Sequence, residues 1–84
     1  MNYGSEQTKT ASKRQDFARR FSALRKCRNW TQAFVAGKLG LSNRTICKWE
    51  SGHGVPTFGG LLALSELFDV SLDELVGNRA EVIS

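Results

Sequence analysis

Residues 31–50 read TQAFVAGKLGLSNRTICKWE and hold two short helical patterns about a glycine-centred turn. Thr31 is an N-cap type, and small or apolar residues follow it at Ala33, Val35, Ala36 and Leu39. Gly40 stands where a chain leaving a helix often takes a positive φ. Leu41 is apolar, and Ser42 is a second N-cap type. Ile46 and Trp49, three apart, share one face of the next helix, while Asn43, Arg44 and Lys48 fall largely on the other. Two short helices joined by about three residues that include a glycine form a helix-turn-helix, which lays its second helix in a major groove.

Upstream, Ser12 and Gln15 have capping-box spacing. A first helix is expected from there to about Arg28, with Phe17, Phe21 and Leu24 as its apolar stripe. Asn29 is a helix stop, and Trp30 anchors the turn. Residues 1–11 are polar and aperiodic and read as a disordered arm.

Downstream, residues 51–56 form a loop by composition. Thr57 caps a fourth helix whose expected core face is Phe58, Leu61, Leu62, Leu64 and Phe68. Gly59 and Gly60 sit in its first turn, where each is less favourable than Ala by up to about 1 kcal/mol, which suits a close backbone approach. Ser71 with Glu74 repeats the capping-box spacing over a short fifth helix that Gly77 stops. Residues 78–84 are a tail whose apolar content is Val82 and Ile83. The pattern is all-α, with one domain expected over residues 12–77; no strand pattern, repeat or low-complexity segment is present.

The net charge of +4 is segregated. Residues 1–48 carry eleven Lys and Arg against two acidic residues, or +9; residues 49–84 carry one Arg against six, or −5. Such a division suits a module that offers one side to a polyanion, and also a solvated helical surface. Cys27 and Cys47 read as reduced thiols. With His53 they make three badly spaced candidate ligands, so neither metal nor cofactor is expected. No run is long enough to span a bilayer and the N-terminus lacks a signal-peptide pattern, so the expected location is cytoplasmic and nucleoid-associated. There is no nucleophile–base pair and no glycine-rich phosphate loop, which argues against an enzyme.

From about Phe17 to Gly77 the chain resembles the Cro/C1-type (XRE-family) helix-turn-helix domain of phage repressors and small bacterial regulators. The resemblance is carried by Leu24-Arg25, Thr31-Gln32, Ala36, Leu39-Gly40, Ser42, Ile46, Trp49-Glu50-Ser51-Gly52, Pro56, Leu61-Leu62, Phe68 and the run Val70-Ser71-Leu72-Asp73-Glu74-Leu75. Their order makes it specific. It implies a lambda-repressor-like bundle of five helices that binds a double-stranded DNA operator, commonly as a homodimer. It assigns base contacts to Asn43, Arg44 and Lys48, phosphate contacts to Thr31, Gln32, Ser42, Thr45, Ser51 and Thr57, and a structural ion pair to Arg25 and Glu50. Arg44 suits guanine and Asn43 adenine, each as a bidentate partner. One departure is Phe34, where the family usually has an acidic or amide residue, so the second helix loses its reciprocal cap.

The basic residues Lys13, Arg14, Arg19 and Arg20 suit either a DNA-backbone arm or a solvated helix face. Cys47 lies near the DNA face, where a redox-sensitive role would be open to it. The expected dimer surface is the fifth helix with the tail, through Leu72, Leu75, Val76 and Ile83. Sequence-specific transcriptional regulation, by repression through occupancy, is the leading reading. The alternative is a protein-interaction module, such as an antitoxin bound to its toxin or a partner of another regulator.

Overall fold

A computed structural model describes residues 3–77, with side chains from residue 13 onward. It holds five helices: α1 (Tyr3–Cys27), α2 (Gln32–Leu39), α3 (Asn43–Ser51), α4 (Phe58–Phe68) and α5 (Leu72–Val76). No strand occurs among the described residues.

Four of the five helices start on the residue that local chemistry names. Thr31, Ser42, Thr57 and Ser71 have extended backbones, and each side-chain oxygen accepts the amide three residues on. Ser71 and Glu74 complete a reciprocal capping box. The stops are equally local. Gly40, Gly52 and Gly77 end α2, α3 and α5 in the left-handed region, and Asn29 and Asp69 adopt the same conformation without being glycine.

The first helix departs from expectation. It begins at Tyr3, so Ser12 lies inside it rather than at its start, and helix continues into the stretch expected to be a disordered arm. Once Phe17 and Phe21 fix the helix against the core, each residue added upstream gains a hydrogen bond without a new nucleation penalty. No proline interrupts residues 3–11.

The core is one cluster to which every helix contributes. Phe17, Phe21, Val35, Ala36, Ile46, Trp49, Leu64, Phe68 and Leu75 are buried, with Leu24, Trp30, Leu39, Leu61, Leu67 and Val70 packed around them. Phe21 is its hub: its ring lies 5.8 Å from Phe17, 6.0 Å from Trp49 and 5.8 Å from Phe68. A second aromatic tier extends outward. Trp30 stacks on Phe68 at 5.6 Å and meets Phe34 at 5.0 Å. Arg28 lies over Phe68 and donates to its carbonyl at 2.5 Å, which closes the α1–α4 seam.

Two apolar expectations are corrected. Phe58 is 67% exposed and Leu62 42% exposed, so neither belongs to the α4 core face. Leu61, Leu64 and Phe68 lie along one face by helical spacing, and Phe58 and Leu62 lie off it. Leu75 is fully buried and cannot serve a dimer surface; a helix of five residues docks through its one inward leucine. Leu72 and Val76 are half-buried, and Ile83 lies outside the described residues.

Gly60 answers the question its position raised. A Cβ there would stand 2.9 Å from Cβ of Pro56 and 4.0 Å from the Trp49 ring, so glycine lets the α3–α4 loop close onto the helix. An added Cβ at Gly59 would meet only Thr57 Oγ1, at 3.9 Å.

Candidate nucleic-acid interface

The geometry of α3 follows from its nine residues. Ile46 is fully buried and Trp49 is 7% exposed, so they anchor the helix from behind. Helical spacing then turns Asn43, Arg44, Cys47, Lys48 and Ser51 outward, and all five are exposed. Among the described residues, Arg44 and Lys48 pair with no carboxylate. The result is a short helix with an open, cationic, hydrogen-bonding face on a rigid apolar mount.

The entrance to α3 is set by two hydroxyls. Ser42 Oγ accepts the Thr45 amide at 3.2 Å and lies 3.1 Å from Thr45 Oγ1. At the other end, Ser51 Oγ donates to the Lys48 carbonyl at 3.1 Å and sits 2.8 Å from His53 Nδ1. Thr31 and Thr57 accept the amides of Phe34 and Gly60, at 3.0 and 3.2 Å. Capping uses only their acceptor side, so both hydroxyls keep an O–H for an anion. The open amides at the starts of α2, α3 and α4 favour the same kind of ligand. Thr45 and Thr57 border a single cleft with Leu41, Trp49 and Pro56.

Behind this face lies a polar junction of three helices. Arg25 of α1 grips Glu50 of α3 through two guanidinium nitrogens, one to each carboxylate oxygen. A further Arg25 nitrogen donates to the Trp30 carbonyl at 2.7 Å. Gln32 of α2 donates to Glu50 Oε1 at 3.1 Å. Burial by itself would push the Glu50 carboxyl up. Hydrogen bonds from Arg25 and Gln32, with the charges of Arg25 and Lys26, outweigh it and hold the carboxyl below its ordinary value. The hydrogen bonds that Arg25 donates to Glu50 raise its guanidinium further, against the cost of burial.

Sequence reasoning missed two features. Gln32 is engaged by Glu50 and also accepts from the Cys47 thiol at 3.1 Å. These partners are 18 and 15 residues away, so no local spacing signals them. The other is what flanks Phe34, whose exposure the family departure already implied: at 39% exposed it lies between Trp30 and the Lys38 ammonium, 5.4 Å above its ring. Arg25 of α1 and Arg28 just beyond it are structural, and Arg19 pairs with Asp16 at the surface. Lys13 is exposed and Arg14 half-buried.

A family model described as helix-turn-helix matches residues 22–75. The chain is 37% identical over 62 residues to the HTH-type transcriptional regulator AnsR of Bacillus subtilis, covering 74% of this chain and 53% of that one. It is 39% identical over 61 residues to the cryptic phage CTXphi transcriptional repressor RstR of Vibrio cholerae, covering 73% and 54%. It is 39% identical over 64 residues to the HTH-type transcriptional activator BcrR of Enterococcus faecalis, covering 76% and 31%. The chain thus spans about half the length of the first two relatives and under a third of the third. No solved structure matches it.

Proposed function

The chain belongs to the helix-turn-helix family of Cro/C1 (XRE) type, and from that premise we propose that it reads operator half-sites in double-stranded DNA with α3 and represses transcription by occupancy. One observation carries this reading. α3 presents Asn43, Arg44 and Lys48 outward, free of carboxylate partners among the described residues, while Ile46 and Trp49 fix its opposite side. In this arrangement Arg44 would read guanine through its planar fork and Asn43 adenine, with Lys48 reaching a base or a phosphate. Thr31, Gln32, Ser42, Thr45, Ser51 and Thr57 would hold the flanking phosphates and set the register.

One recognition helix covers half of an operator, so a homodimer on half-sites about one helical turn apart is the expected assembly. The test is selection of bound duplexes from random DNA, with sedimentation to count chains per duplex. Near-palindromic sites carrying two chains are expected. Retention of all sequences alike would overturn the reading. A salt titration on the selected site should give a slope of about −0.9 for each phosphate neutralised.

A further inference from the structure

The Gln32 side chain is held at both ends of its amide. Nε2 donates to Glu50 and Oε1 accepts from the Cys47 thiol, each at 3.1 Å. Glu50 is ionised and gripped by Arg25, so it can only accept. The amide end beside it must therefore be the NH2 group, and the oxygen must face the thiol. Glu50 takes one of the two N–H groups, and among the described residues the second has no partner. Gln32 is also half-buried, which restricts other rotamers, and it opens α2, where backbone amides are free for an anion.

We propose that Glu50 and Cys47 act as positioning residues that lock the Gln32 amide with its remaining N–H available as a donor to a DNA phosphate. The phosphate half of this statement rests on the DNA-binding reading above; the lock is a property of the free protein. Glu50 fixes where the NH2 group sits. Cys47 keeps the amide from turning over, since its S–H meets the oxygen and would face an N–H after a flip. The thiol is a weak donor, so its contribution is to orientation rather than to stability. Its place on the outward face of α3 also ties the phosphate donor of α2 to the helix that would read bases.

Two measurements test this, both with Cys47→Ala and Cys47→Ser. The alanine variant removes the donor, and the serine variant keeps an O–H. In free protein, ¹⁵N relaxation of the Gln32 side-chain amide should show it rigid in the wild type and in Cys47→Ser, and mobile in Cys47→Ala. On a selected operator, methylphosphonate substitution replaces one charged phosphate oxygen at a time. Wild type should weaken about tenfold at one phosphate per half-site, and Gln32→Ala by no more than about twofold there, the remainder coming from the backbone amides of α2. Cys47→Ala should reduce that penalty to about threefold and Cys47→Ser should restore it.

Unchanged Gln32 order and an unchanged phosphate penalty in Cys47→Ala would overturn the lock and leave the DNA-binding reading intact. Failure to select any operator would sink that reading, and the relaxation comparison would still decide the lock.

Discussion

Helices α3 and α4 hold the core in the same way and meet their surroundings in opposite ways. Each buries two side chains, Ile46 and Trp49 in one, Leu64 and Phe68 in the other. The remaining face of α3 is polar and cationic, whereas that of α4 exposes Phe58 and Leu62. Few residues of α3 are apolar, so burying them leaves a single possible outward face. α4 reads FGGLLALSELF, with apolar residues all around its circumference, and burying any one stripe leaves others exposed. An outward face is thus specified when apolar residues are scarce and left over when they are abundant.

The largest test of this comparison strikes what the two helices share. Phe68→Ala removes the ring that contacts both Phe21 and Trp30, and should destabilise by about 3–5 kcal/mol in a denaturant melt. That is a large part of the stability of so small a domain. A loss under about 1 kcal/mol would mean the α4 anchor is not where the core places it.

Next comes the junction that only the α3 side possesses. Glu50→Gln should cost about 2 kcal/mol at neutral pH, because Arg25 is left facing a neutral group at a site where its charge is largely shielded from water. The pH dependence has a definite sign. The folded carboxyl lies below its ordinary value, so the pairing stabilises fully above the unfolded carboxyl pKa of about 4.3 and is lost as pH falls through the folded value. Wild-type stability should therefore fall more steeply on acidification than that of Glu50→Gln. Parallel profiles would remove Glu50 from the account.

A smaller effect, on binding alone, separates the outward faces. Arg44→Ala should leave the melting midpoint unchanged and weaken the selected operator by about 1–3 kcal/mol, flattening preference at one base pair. An equal loss on random DNA would reassign Arg44 to a phosphate. The smallest effect belongs to the leftover face of α4. Phe58→Glu should change stability by no more than about 0.5 kcal/mol, since the side chain is exposed and an acidic residue suits a helix start. A loss of several kcal/mol would show that Phe58 is covered in solution.

Legibility in the sequence followed the same divide. Caps and stops were readable because each involves residues three or four apart: Thr31, Ser42, Thr57 and Ser71 at starts, Gly40 and Gly77 at ends. The outward turn of Asn43, Arg44 and Lys48 was readable because Ile46 and Trp49 leave them nowhere else to go. The α1 start at Ser12 misled, since a capping-box pattern does not stop a helix that packing at Phe17 and Phe21 has nucleated from growing back past it. Phe58, Leu62 and Leu75 were assigned to the wrong side because an apolar residue on a short or uniformly apolar helix carries no directional signal.

By itself the sequence determined an all-α chain with a helix-turn-helix at its centre and the side of α3 that faces out. Those properties depend on helical period and on hydrogen bonds between near neighbours. Only the tertiary structure decided which stripe of α4 is core, that Leu75 is buried, and that Gln32 is shared between Glu50 and Cys47. Those outcomes depend on which helices meet, and contacts between residues 15 to 25 positions apart leave no periodic trace in the chain.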